Sequence, residues 1–100
     1  MRRRVVITGL GAVTPLGNTV EETWVAILAG RSGAGPITRF DAAALGFPTR
    51  IAAEVRGFDA GAYLDRKEER KLDRFAQYAI AGAAQAIRDA VPGVERVVSK

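Results

Sequence analysis

The sequence predicts an α/β fold. Three observations carry that reading. A β-branched run without polar alternation lies near the start. An apolar pattern at helical spacing follows it from Val20. A long alanine-rich helical pattern then leads toward a further β-branched run at Glu95-Arg96-Val97-Val98.

Residues 3–8, Arg-Arg-Val-Val-Ile-Thr, predict the first strand, because Val, Ile and Thr are stiff at χ1 and suit a pleated surface. Their continuous apolar character predicts cover on both faces. A glycine-rich loop, residues 9–17, comes next. Gly9 and Gly11 resemble the opening of a dinucleotide-binding fingerprint, but Thr14 stands where the third glycine belongs and the following helix begins late. A tight turn that brings backbone close to backbone is the favoured reading. Asn18 or Thr19 can cap the next helix, Glu21 and Glu22 suit its first turn, and Gly30 suits its end. Val20, Trp24, Ile27 and Leu28 form one apolar face.

Residues 31–49 read as a long connection punctuated by Gly33, Gly35, Pro36, Gly46 and Pro48. Residues 50–56, Arg-Ile-Ala-Ala-Glu-Val-Arg, predict a second strand, and 57–63 a loop. From Asp65 to Ala90 the pattern is helical, a short helix leading into a longer one. Ala79, Gly82, Ala83, Ala86 and Ala90 share a face whose small side chains permit close approach of another element. Gln77, Ala81, Gln85 and Arg88 fall opposite, as a polar strip. Pro92 and Gly93 are stop signals, and the run from Glu95 predicts a third strand that has barely begun at Lys100.

Composition narrows the chemistry. The 100 residues include no cysteine and no histidine, so they offer no disulfide, no thiolate nucleophile and no imidazole or thiolate ligand for zinc. The expectation is no metal and no cofactor. Proton transfer would fall to carboxylates, lysines or tyrosines. No apolar run approaches the roughly 18 residues that span a bilayer, and the start lacks the apolar segment of a signal peptide. A cytoplasmic location is expected. Fifteen Lys and Arg against eleven Asp and Glu give a net charge of +4, which points weakly to an acidic partner. Neither Arg2–Arg4 nor the cluster at 66–74 is interleaved with aromatic stacking residues, which argues against nucleic acid.

The segment Asp65-Arg-Lys-Glu-Glu-Arg-Lys-Leu-Asp-Arg74 separates its signs on a helical wheel. At about 100° per residue, Arg66, Lys67, Arg70, Lys71 and Arg74 fill one arc, while Asp65, Glu68, Glu69 and Asp73 fill the other. Like charges four apart repel. Two readings remain open for such a face: a solvated surface, or a docking site for a negatively charged partner. The wheel assumes an unbroken helix through residue 74. Trp24 and Phe75 are expected in the core. Asp41 and Asp59 are expected as loop or capping residues. Tyr63 and Tyr78 have no evident partner nearby in sequence.

The run Arg3-Arg-Val-Val-Ile-Thr-Gly-Leu-Gly-Ala-Val-Thr-Pro-Leu-Gly17 resembles the N-terminal strand and loop of the β-ketoacyl-acyl-carrier-protein synthases. Asn18-Thr-Val-Glu-Glu-Thr-Trp24, Leu28-Ala-Gly-Arg-Ser-Gly33, Phe40-Asp41, Arg50-Ile-Ala-Ala-Glu-Val55, Asp65 to Phe75 and Gln77-Tyr78 continue the likeness. It is strongest to the elongating enzymes of dissociated fatty acid synthesis, and it fades after Ala90. The resemblance implies a thiolase-like α/β fold of which residues 1–100 are the N-terminal part of the first half, incomplete and without the remainder of the enzyme. It implies a homodimer and a decarboxylative Claisen condensation of malonyl-carrier protein with acyl-carrier protein, run by a cysteine and two histidines that have no counterparts here. Catalytic residues in this chain are therefore expected to be none, and these 100 residues alone are expected to be inactive and to fold poorly. It also implies that Lys67, Arg70 and Lys71 contact the acidic acyl carrier protein. A ketosynthase or chain-length factor of a polyketide synthase, and a small basic binding module, are the alternatives.

Overall fold

By its internal contacts the chain divides into two units, Thr14–Phe58 and a second made of Met1–Val13 with Asp59–Lys100. A computed structural model describes residues 2–91. The expected third strand and the Pro92-Gly93 stop lie outside the described residues.

Within Thr14–Phe58 a tight turn is closed from both ends. The Thr14 amide donates to the Gly17 carbonyl at 2.8 Å and the Gly17 amide to the Thr14 carbonyl at 3.2 Å. Helix α1, Val20–Leu28, follows. Thr19 caps it, its Oγ1 accepting from the Glu22 amide at 3.1 Å, while the Glu22 carboxylate reaches back to the Asn18 amide at 2.9 Å. This is a capping box displaced by one residue. At the other end the Gly30 amide donates to the Ile27 carbonyl and the Arg31 amide to the Ala26 carbonyl. That Schellman arrangement requires a left-handed residue at Gly30, whose φ is +72°. The caps therefore match expectation. The apolar face does not act as a core within this structure: Ala26 is the buried residue of α1, while Trp24 is 57% exposed and Ile27 and Leu28 are exposed as well.

The expected strand at 50–56 is shorter. Strand β1, Gly35–Pro36, pairs antiparallel with β2, Ile51–Ala52, in the register Gly35↔Ala52 and Pro36↔Ile51. Pro36 brings no N–H to the ladder. Beyond it, the Thr38 and Arg39 amides donate to the Glu54 carboxylate at 3.0 and 3.4 Å rather than to a facing carbonyl. A side chain thus replaces the ladder where the strand was expected to continue. Asp41 serves the loop as expected, accepting from the Ala44 amide at 3.0 Å, and Phe40 meets Phe47 edge to face at 5.7 Å.

In the other unit a 3₁₀ turn, Ala60–Ala62, is capped by Asp59, which accepts from the Gly61 amide at 3.0 Å. Helix α2 spans Arg66–Lys71 and helix α3 spans Arg74–Ala90. The residues expected to form the first strand have no ladder among the described residues, and Val5 is 95% exposed with Val6 and Ile7 also exposed. A strand exists only where a second backbone supplies its hydrogen bonds. Residues 9–12 instead lie along α3. The Leu10 amide donates to the Asp89 carboxylate at 3.1 Å and the Ala12 amide to the Gln85 side-chain oxygen, Oε1, at 3.0 Å. A β-carbon at Gly9 would strike the Ala86 carbonyl and Ala90, and one at Gly11 the Gly82 carbonyl. The glycine-rich loop is thus a close backbone approach, as expected.

Helix α3 corrects two expectations. Its most buried positions are Gln77, Ala81 and Ala84, on the side expected to be a polar strip, whereas Ala79 and Ala83 of the small-residue face are exposed. The small face is covered along Gly82, Ala86 and Ala90 by residues 9–11. Gln77 can face inward because both N–H bonds of its side-chain amide go to backbone carbonyls. Phe75, expected in the core, is 75% exposed. Among the described residues the buried apolar side chains are Ala26, Ala42, Ala60, Ala81 and Ala84.

Candidate functional site

Helix α2 exists because its ends are managed. Six residues make a marginal helix on propensity alone. Asp65 caps its start, Oδ1 accepting from the Glu68 amide at 2.8 Å. Glu68 and Glu69 sit in the first turn and Arg70 and Lys71 in the last, so each sign meets the favourable end of the helix dipole. Leu72 then turns extended, with φ −113° and ψ 136°, and Asp73 begins α3. The expected wheel therefore breaks before Arg74, which belongs to α3 and not to the α2 face.

The remaining four cations behave as the wheel predicts. Arg66, Lys67, Arg70 and Lys71 are all exposed, while Glu68 and Glu69 are half-buried. Helix α2 packs on the 3₁₀ turn Ala60–Ala62. Among the described residues no ion pair holds the four cations. Over about 9 Å of helix, positive charge projects from one side. Two like-charged pairs, Arg66 with Arg70 and Lys67 with Lys71, each cost a few tenths of a kcal/mol. Such a face can attract and orient an anionic surface. The structure thus brings Lys67, Arg70 and Lys71 together on one exposed face.

Gln77 was missed by sequence reasoning. It is 7% exposed, and its Nε2 donates to the Glu69 carbonyl at 3.0 Å and to the Leu72 carbonyl at 3.1 Å. Both acceptors belong to the C-terminal end of α2. The sequence signal was present, a glutamine five residues past the break, but only the fold reveals its use. Tyr63 also gains partners from far along the chain: Gln85 Nε2 donates to its hydroxyl at 3.0 Å, and the Arg88 guanidinium lies 5.7 Å from its ring centre.

Two open hollows lie in Thr14–Phe58. One, of about 530 Å³, is lined by Leu16, Thr19, Glu21, Glu22, Val25 and Arg31. Another, of about 450 Å³, runs beside Thr38, Phe40, Asp41 and Arg50. Neither gathers a nucleophile with a base. Among the described residues no cluster of His, Cys, Asp and Glu could hold a metal ion, and no helix is long and apolar enough to cross a membrane. Glu54 is held in a perturbed electrostatic setting. The hydroxyl of Thr38, at 2.7 Å, and then its amide hold the Glu54 carboxyl below the usual glutamate value.

Comparison with known proteins converges on one family. The family model described as beta-ketoacyl synthase, N-terminal domain, matches residues 2–97. A 3-oxoacyl-(acyl-carrier-protein) synthase 2 of Coxiella burnetii is 60% identical over 88 residues, 88% of this chain and 21% of the relative. The enzyme of the same name from Synechocystis is 51% identical over 89 residues, 89% of this chain and again 21% of the relative. The solved structure of the ishigamide ketosynthase/chain length factor superposes with a TM-score of 0.79 at 41% identity, covering 95% of this chain and 23% of that one. The chain thus spans about a fifth of the length of the relatives it matches. With the model matched across almost every residue and the fold matched at 41% identity, the chain belongs to the beta-ketoacyl synthase family, in the N-terminal domain.

Proposed function

We propose that residues 1–100 form the N-terminal part of a β-ketoacyl-acyl-carrier-protein synthase, of thiolase-like fold, that elongates fatty acids. The enzyme joins malonyl-carrier protein to acyl-carrier protein. The acyl group moves to a cysteine thiol, malonyl loses carbon dioxide, and the resulting carbanion attacks the acyl carbonyl. A carbon–carbon bond forms as the carbon–sulfur bond breaks and the thiol is released. The cysteine and its two histidines belong to the protein outside these residues, and this part contributes docking rather than chemistry. Lys67, Arg70 and Lys71 receive the acidic carrier protein. The enzyme is a cytoplasmic homodimer in this reading.

The carrying observation is the exposed basic face of α2 in a chain 60% identical to a relative named for its carrier-protein substrate. An electropositive patch of this kind raises encounter rate and fixes register more than it adds affinity. The test is direct. The whole protein carrying this segment, incubated with malonyl-carrier protein and acyl-carrier protein, should yield carbon dioxide and a 3-oxoacyl-carrier protein. Absence of product with active carrier proteins would remove the reading.

The structural match to a ketosynthase/chain length factor supports a second reading, a polyketide partner subunit without condensing activity. Intact mass after incubation with acyl-carrier protein separates the two. A gain of one acyl group marks the condensing enzyme, and no gain marks the partner.

A further inference from the structure

We infer that Gln77 is a positioning residue that latches the docking helix, an inference that rests on the carrier-protein reading above. Helix α2 ends after Lys71, where intrahelical donors run out, and the one local bond to its end is a long one, from the Leu72 amide to the Glu69 carbonyl at 3.4 Å. A short helix with exposed cations would fray at this end, where Arg70 and Lys71 sit. The chain supplies no glycine cap there, since Leu72 is extended. The shorter bonds come from α3. Gln77 Nε2 has two N–H bonds to give, and it gives them to the Glu69 carbonyl at 3.0 Å and the Leu72 carbonyl at 3.1 Å. With two carbonyl acceptors facing it, the amide orientation is set, because the flipped amide would place oxygen against oxygen.

The surroundings make this contact matter. Gln77 is 7% exposed, so water competes poorly for either carbonyl. Its own amide donates to the Asp73 carbonyl at 3.1 Å, inside the first turn of α3. One residue therefore joins the start of α3 to the end of α2 and holds the corner at Leu72–Asp73. The angle at which Lys67, Arg70 and Lys71 face outward follows from that corner. Gln77 touches no substrate in this role. It acts through the helix it holds.

The test uses the whole protein that carries this segment, with Gln77→Met and Gln77→Glu. Both keep the size of the side chain and lose the donors. Hydrogen exchange at the Arg70, Lys71 and Leu72 amides should accelerate about tenfold. KM for acyl-carrier protein should rise about three- to tenfold with kcat unchanged, while KM for a carrier-free acyl thioester stays put. In the wild-type protein the Gln77 Nε2 protons should exchange far more slowly than a free amide, a measurement that needs no variant. Unchanged exchange at α2 in both variants, or free-amide exchange at Gln77 Nε2, overturns the latch. A raised KM after charge reversal at Lys67, Arg70 and Lys71, with no rise in the Gln77 variants, overturns positioning while leaving docking intact. If charge reversal itself leaves KM unchanged, the docking reading fails, and positioning for carrier protein falls with it.

Discussion

Gly11 lies directly against the carbonyl of Gly82, with no space between them for a β-carbon. The relation is one-sided. A β-carbon on Gly11 meets helix backbone, while one on Gly82 meets nothing within 4 Å. Two alanine substitutions at touching residues should thus have opposite effects. Gly11→Ala should destabilise by about 1–3 kcal/mol, because backbone cannot yield as a flexible side chain can. Gly82→Ala, in the interior of α3, should stabilise by about 0.5–1 kcal/mol through helix propensity. Denaturant midpoints of the whole protein check both signs.

Reversing Lys67, Arg70 and Lys71 to Glu should raise KM for acyl-carrier protein about tenfold, as exposed pairs contribute up to about 1 kcal/mol each. The difference from wild type should shrink between low salt and about 0.5 M salt, as the screening length falls below the spacing of the charges. Steady-state kinetics at several ionic strengths give the answer. Arg74→Glu should matter less, since Arg74 lies beyond the break that ends α2.

Asp65→Ala removes the bond to the Glu68 amide and should cost about 1 kcal/mol. Asp65→Asn retains an acceptor and should cost less. In so short a helix the loss should show as faster exchange at the Glu68 and Glu69 amides, with α3 unaffected. Equal exchange in both helices would show that the cap does not govern α2.

Glu54 makes stability depend on pH in a known direction. Its carboxyl is held below the usual value of 4.5 by the Thr38 hydroxyl first and the Thr38 amide next. The folded protein therefore favours the charged form. That contribution is fully present above pH 4.5 and is lost as pH falls through the lower folded value. Glu54→Gln should flatten this part of the stability curve, and Thr38→Val should move the Glu54 titration upward. Carbon-detected NMR of the carboxyl follows the second effect.

What the sequence revealed was local. Thr19, Gly30, Asp41 and Asp59 were readable as caps or loop residues because each acts within a few positions of itself. The sign separation on α2 was readable for the same reason. The break before Arg74 turns on the extended backbone of Leu72, which no charge pattern encodes. The buried side of α3 was misassigned because a glutamine looks like a surface residue until its acceptors are known, and those lie five and eight residues back across a corner. Tyr63 and Gln85 meet over 22 positions, beyond the reach of periodicity. The first strand failed for a different reason. β-branched residues express a preference for a ladder, and a preference is realised only where a second backbone answers it.

The run Val5-Val6-Ile7, left open to solvent, has a colloidal consequence. Stretches of this kind recruit copies of themselves into cross-β stacks. Here three arginines immediately precede the run and act as gatekeepers, keeping neighbouring molecules apart by mutual repulsion. Salt weakens that guard. A solution of the 100-residue chain should stay clear in dilute buffer and turn thioflavin-positive as ionic strength climbs, sooner still with Arg2, Arg3 and Arg4 changed to Gln.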